Sequence, residues 1–339
     1  MDERYSRQQK FKPIGQHGQR LLEKATVAVI GCGALGSAIA EMLVRAGIGH
    51  LHLVDRDVVE ISNLQRQQLF CERQARETMP KVVAAEQRLR EIRSDVQLTI
   101  TIDHADGTHI EHLARQCDLL MDATDNFETR IMINDAAYKY RRPWVYGACV
   151  GSTGVVFPFV PGSSACLRCL LPSLPAVNET CDMAGIIGSA VQMTAALQCT
   201  EALKWLTGNK DALIRKVHHF DLWSHTRIDS GLTRIKRLNC PTCGDSPTFE
   251  SLSPIRKTQI EMLCGQNTVQ VIPGNSRTID FDEAERTGRL ANISVRRTPY
   301  FVEMHIKEYR MILFSNGRLL IHGLNDVHQG RKLYHQLFG

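Results

Sequence analysis

One turn constrains this chain more than any other feature. Gly31-Cys-Gly-Ala-Leu-Gly36 has the spacing G-x-G-x-x-G and lies between a β-branched run and an apolar helical segment. The run Thr26-Val-Ala-Val-Ile-Gly31 has the character of a strand buried on both faces. Ala38 to Ala46 reads as the helix that follows. Glycines at 31, 33 and 36 let backbone amides approach phosphates at a helix N-terminus. Asp55 lies nineteen residues after Gly36, at the end of the next strand, Leu51-His-Leu-Val-Asp55. That is where a ribose-binding carboxylate belongs. The context marks a nucleotide site without choosing between NAD, FAD and ATP.

The alternation continues. The pattern predicts an amphipathic helix over 80–92 with Val82, Ala85, Leu89 and Ile92 on one face. Strands are expected over 96–101, 118–123, 143–148 and 155–160, and a helix near 127–140. Repeated strand–helix–strand units imply an α/β fold, a Rossmann-like doubly wound parallel sheet with helices on both faces. In 185–206, Ile186, Ala190, Met193 and Leu197 form one apolar stripe and Ala196, Cys199, Leu203 and Leu206 another. Such a helix is expected to be buried on more than one side, in the core and between subunits. A length of 339 residues suggests about two domains. The expected division is 1–252 for the nucleotide domain and 253–339 for a small α+β appendage. The appendage carries a hairpin over 309–315 and 318–322 around Asn316-Gly317, and a helix near 326–338.

Composition narrows the partners. There are 41 Lys and Arg against 36 Asp and Glu, and no block of five or six like charges, which argues against nucleic acid and anionic membranes. The uncharged stretches are broken by Gly and Pro or carry Ser, Gln and Thr, so no membrane span is expected. The polar start lacks a secretory pattern. The expected location is the cytoplasm.

Beyond Asp55 the chain is unusually rich in polar groups: Asp57, Asn63, Arg66, Gln67 and then Lys81. Nicotinamide chemistry needs no extra cations beside the phosphates, whereas phosphoryl chemistry must neutralise migrating negative charge. Asp122-Ala-Thr-Asp-Asn126 ends a later strand. Asp125 can face the same phosphates and hold magnesium. Asn126 is a candidate for the same nucleotide site, with capping of the next helix as its other reading.

Residues 4–250 resemble the ThiF, MoeB and HesA adenylyltransferases, distant relatives of the ubiquitin-activating enzymes. The resemblance is carried by Arg4-Tyr-Ser-Arg-Gln8, the Gly-rich turn with Ala46-Gly-Ile-Gly49, Val54-Asp-Arg-Asp57, Ser62-Asn-Leu-Gln-Arg-Gln67, Lys81 and Ala123-Thr-Asp-Asn-Phe-Glu-Thr-Arg130. It implies that Asp55 holds the ribose, that Asn63, Arg66 and Lys81 bind the triphosphate, and that Asp125 coordinates magnesium. Arg7 would reach across a homodimer to the partner's nucleotide. Ala34 stands where the family usually has glycine, and Met79-Pro80 precedes Lys81 where a more glycine-like loop is common.

Cys166-Leu-Arg-Cys169 and Cys240-Pro-Thr-Cys243 have the spacing of a tetrathiolate zinc site, closed and therefore structural. Seventy residues separate the two knuckles, so metal would tether the carboxy-terminal segment of the domain. Cys181 stands where the ThiF branch has a cysteine that can link to the carrier, although Asp182 opposes a lowered thiol pKa.

The expected activity is ATP-dependent adenylation of a ubiquitin-like sulfur carrier ending in Gly-Gly, of ThiS or MoaD type, for thiamin or molybdenum cofactor biosynthesis. Sulfur would come from a separate donor. The alternatives are an NAD or FAD oxidoreductase built on the Gly-rich turn, and a scaffold with a dead nucleotide site.

Overall fold

The computed structural model describes residues 3–171, 185–231, 236–253, 258–263, 267–274, 278–290, 293–306 and 308–338. The chain forms two compact units, Met1–Pro254 and Ile255–Gly339.

The first unit opens with two short helices, α1 (Ser6–Lys10) and α2 (Gly15–Leu22). The alternation then begins: β1 (Thr26–Ile30), α3 (Ala34–Ala46), β2 (His50–Val54), α4 (Glu72–Arg76), α5 (Lys81–Ile92), β3 (Gln97–Thr101), α6 (Gly107–Gln116), β4 (Leu119–Asp122), α7 (Phe127–Lys139) and β5 (Trp144–Val150). The strand order is β3-β2-β1-β4-β5, every neighbour parallel. Alternate residues of each strand feed two cores. Val27, Val29, Leu51, Leu53 and Met121 pack on one face with α3 and α5, while Ala28, Ile30, Val54 and Leu120 pack on the other with α6 and α7. Helices thus cover both faces, as the periodicity predicts.

The sheet does not stay parallel. β6 (Thr153–Phe159), β7 (Lys216–Asp221) and β8 (Thr226–Gly231) extend the same eight-stranded sheet in antiparallel register. The reason is local. Only Gly151 and Ser152 separate β5 from β6, with Gly151 at φ 60°, and a two-residue turn permits only a hairpin. Between β6 and β7 lie α8 (Leu167–Leu170) and the long α9 (Gly188–Leu206).

The expected stripes of α9 need correction. Met193 is exposed, while Thr194, Gln198 and Glu201 are buried. These polar residues fit inside because each has a partner. Thr194 donates to the Ala190 carbonyl, Gln198 donates to the Asp122 and Val145 carbonyls, and Glu201 accepts from the Ile214 amide.

The second unit contains β9 (Gln259–Leu263), β10 (Thr268–Ile272), α10 (Phe281–Leu290), β11 (Ser294–Arg297), β12 (Phe301–Ile306), β13 (Tyr309–Phe314), β14 (Leu319–His322) and α11 (Val327–Phe338). Its antiparallel sheet, ordered β11-β12-β13-β14-β10-β9, has its own core around Val269, Val302, Met311, Leu313 and Ile321. Phe281 of α10 and Leu333 of α11 pack against that core. The β13–β14 hairpin forms where Asn316-Gly317 predicts it, with Gly317 at φ 84°.

Candidate nucleotide site and the four-cysteine cluster

β1 ends at Ile30 and α3 starts at Ala34, so the Gly-rich turn directly caps a thirteen-residue helix. The glycines are required by crowding. A Cβ on Gly31 would stand 2.5 Å from the Ala123 carbonyl oxygen, and one on Gly36 would stand 2.0 Å from the Gly31 oxygen. Gly33 is different, because the nearest atom to its absent Cβ is Gln67 Nε2 at 3.9 Å. Gly33 is the N-cap of α3, where helix dipole and free amides favour an anion. Ala34, the departure from the family pattern, is the first residue of α3 and is not at positive φ.

Asp55 follows β2 and ties the turn together. One carboxylate oxygen accepts from the Cys32 amide at 2.6 Å and the other from the Asp57 amide at 2.7 Å. Burial, with the like charge of Asp57, raises its pKa against the opposing pull of Lys81. Lys81 opens α5, is buried, and sets its ammonium 3.1 Å from Asp57 Oδ2. Burial alone would lower its pKa. The charges of Asp57 and Asp55 outweigh that, and the ammonium stays protonated. Asp125 contributes to the same field.

Asn63, Arg66 and Gln67 lie on the segment after β2. Asn63 is buried and accepts from the Glu60 amide at 3.2 Å. Arg66 is half-buried and donates to the Ser62 carbonyl at 2.9 Å. Gln67 is buried, and its Oε1 has no partner among the described residues. A buried acceptor left this way beside Gly33 fits a ligand that brings a hydroxyl or amine. The cavity next to Arg66, also lined by Gln65, Gly188 and Gln192, measures only about 180 Å³. That is below the usual size of a ligand pocket, so this cavity alone would not enclose a nucleotide.

Asn126 caps α7, accepting from the Thr129 amide at 2.9 Å, while Asp125 stays exposed. Beneath them is a pair that the sequence reading passed over. Arg130 donates to Asp122 at 3.0 Å, to the Thr124 carbonyl at 2.7 Å and to the Gly147 carbonyl at 3.2 Å. Asp122 also accepts from the Thr124 amide and hydroxyl. Both are buried, and together they fix the loop that presents Asp125. The available signal was a carboxylate ending an apolar run, with an arginine eight positions on.

Arg7 is not brought to this group in its own chain. It is exposed on α1, whose Gln8 donates to the Ala46 carbonyl at the far end of α3. Thirteen helical residues, about 20 Å, separate that end from the Gly-rich turn. Cys181 lies outside the described residues.

The two knuckles meet as the spacing predicts. The four sulfurs of Cys166, Cys169, Cys240 and Cys243 all lie within 4.8 Å of one another. Cys166 and Cys240 are 3.5 Å apart and Cys169 and Cys243 are 3.6 Å apart. Four thiolates at about 2.3 Å from one tetrahedral ion would stand about 3.8 Å apart, so the donor set fits such an ion.

A Gly-rich turn on a helix N-terminus, with a buried lysine paired to Asp57 nearby, defines a protein of the doubly wound α/β class. The ThiF family model matches residues 5–242, and the chain belongs to the ThiF family. It is 46% identical to the sulfur carrier protein ThiS adenylyltransferase of Bacillus subtilis (strain 168), over the full length of both chains. It is 34% identical to the sulfur carrier protein adenylyltransferase of Thermus thermophilus, over 78% of this chain and 96% of that one. Among solved structures, E. coli MccB with ATP shares the fold, with TM-score 0.60 and 22% identity over 72% of this chain and 75% of that one. Among the described residues, no helix is long and apolar enough to cross a membrane.

Proposed function

We propose that this protein is an adenylyltransferase that activates the C-terminal glycine of a ThiS-type sulfur carrier with ATP, a step of thiamin biosynthesis. The observation that carries the chemistry is Lys81, buried, protonated and held at the Gly-rich turn by Asp57. Full-length similarity to the Bacillus enzyme favours a ThiS-type over a MoaD-type carrier.

The carrier's terminal carboxylate is ionised at neutral pH and needs no general base. It attacks the α-phosphorus of ATP, a P–O bond forms, and the bond to pyrophosphate breaks. What the protein supplies is position and charge. In this reading Asp55 holds the ribose, and Gln67, whose Oε1 has no partner among the described residues, is available to the nucleotide. Asn63, Arg66 and Lys81 meet the triphosphate. Exposed Asp125 would hold magnesium, which neutralises charge building on the leaving phosphates. The four cysteines would hold a structural zinc ion.

Arg7 serves a second copy in this reading, since α1 is anchored about 20 Å from its own turn. The unit is then a homodimer, and sulfur reaches the adenylate from a separate donor. Nothing in the site favours hydride transfer, which has no use for Lys81 and Asp125.

The test is carrier-dependent exchange between ATP and labelled pyrophosphate, with mass spectrometry of the carrier. A ThiS-type protein ending in Gly-Gly should gain one adenylyl group, and a carrier lacking the last glycine should gain none. Exchange without carrier, or NAD binding tighter than ATP, would overturn the reading.

A further inference from the structure

One carboxylate fastens both cysteine knuckles to α7. Asp135 is fully buried. From the first knuckle, Arg168 donates to it through Nε at 3.2 Å and Nη2 at 2.9 Å. From the second knuckle, the Thr242 hydroxyl donates to Oδ1. The Ser251 hydroxyl adds a bond at 2.6 Å. Asn134, next door, accepts from the Leu167 amide at 2.8 Å and donates to Thr242 Oγ1 at 3.2 Å. Arg168 and Thr242 are each an inner residue of a C-x-x-C pair, so the two halves of the cluster meet on one side chain.

The same helix ends at the nucleotide site. Asp125 and the cap Asn126 precede its first turn, and Arg130 pins that turn to Asp122. From Phe127 to Asp135, α7 is continuous helix of about 12 Å with neither Gly nor Pro in it.

We propose that Asp135 is a positioning residue that couples metal occupancy of the four cysteines to the seating of Asp125 through α7. The inference rests on the reading above, in which the thiolates hold zinc and Asp125 serves ATP. With metal bound, both knuckles are locked and Asp135 keeps its full set of donors. Without metal, the knuckles are left with hydrogen bonds such as those through Asp135 and Asn134, and either one leaving strips Asp135 of a partner. A fully buried carboxylate short of donors is costly, so α7 must shift to bring it solvent. Its first turn and Asp125 move with it. By linkage, ATP must tighten metal binding by the same factor as metal tightens ATP.

The experiment uses the full chain. Zinc affinity is measured by competition with a chromogenic chelator and ATP affinity by calorimetry, each with and without the other ligand. In the wild type, zinc removal should weaken ATP binding about 5- to 20-fold, with the reciprocal effect on zinc. Asp135→Ala should lower zinc affinity about 10- to 100-fold, as loss of an outer support does. Its zinc-saturated form should bind ATP no better than its zinc-free form, and Asp135→Asn should recover most of the coupling. An unchanged coupling factor in Asp135→Ala would overturn the proposal. If that variant does not fold, Thr242→Val removes a single donor and should shrink the factor, and an unchanged factor there overturns the proposal equally. A wild type that binds zinc and ATP independently removes the coupling alone, whereas one that binds neither removes the functional reading as well.

Discussion

Lys81 is bonded to Asp57 twice. Its ammonium lies 3.1 Å from the carboxylate, and its backbone amide donates to the Asp57 carbonyl at 2.9 Å. The start of α5 and the segment that follows β2 are thereby held together. Lys81→Met keeps the length of the side chain and removes the charge. Carrier-dependent pyrophosphate exchange should fall about 10²- to 10³-fold, the usual cost of losing one preorganised charge stabiliser. A variant with more than a tenth of the original rate would show that Lys81 merely balances Asp55 and Asp57.

Neighbouring residues 125 and 126 should separate activity from stability. Asn126 caps α7 and Asp125 does not. Asn126→Ala should cost about 1 kcal/mol, or about 2–4 °C in melting temperature. Asp125→Ala should melt like the wild type and lose nearly all exchange activity. Thermal melts and exchange rates on the same preparations check both, and full activity in Asp125→Ala would withdraw the magnesium assignment.

The glycines of the turn should also differ. An alanine methyl at position 36 would lie 2.0 Å from a backbone oxygen, with no flexible group to yield. Gly36→Ala should therefore destabilise by about 3 kcal/mol or more. At position 33 the methyl meets only Gln67, at 3.9 Å. Gly33→Ala should fold with a near-normal melting temperature and bind ATP at least about tenfold more weakly, because the methyl stands at the N-cap of α3 where a phosphate would approach. Calorimetry against ATP measures this directly.

A group of histidines makes stability depend on pH. His52 on β2 packs against His50, ring centroids 4.3 Å apart, and shares a cleft with His109 and His112 of α6. Burial, then the charges of His50, His112 and His109, lowers its pKa to about 4. A base with a depressed folded pKa binds fewer protons folded than unfolded, so stability rises with pH between about 4 and 6.5. Acidification from pH 7 to 5 should lower the melting temperature, and His52→Gln should flatten that slope by about 1 kcal/mol, since a half-buried ring is partly screened by solvent. Parallel slopes for the two proteins would remove His52 as the cause.

Local patterns made half of this fold legible. The Gly-rich turn, the apolar strands and Asn316-Gly317 each act within a few residues, and each stands where the sequence puts it. The sheet's change of direction was hidden because two residues, Gly151 and Ser152, decide it inside two long apolar runs. The burial of Gln198 was hidden for a different reason. Its partners, the Asp122 and Val145 carbonyls, lie more than fifty positions away, and no helical periodicity records them. The Asp135 network is of that second kind, built from residues 33 to 116 positions distant. In the site, the individual charges were readable, but the Arg130–Asp122 support beneath them was not, because it depends on which face of α7 turns inward.

The wide spacing of the knuckles bears on how the molecule is made. With metal bound, the stretch from Cys169 to Cys240 becomes a closed ring containing α9, β7 and β8. A ribosome must therefore release Cys243 before the clasp can shut. Until then the nascent chain carries its Gly-rich turn, but α7 still waits for Thr242 and Ser251, the partners of Asp135 that emerge last.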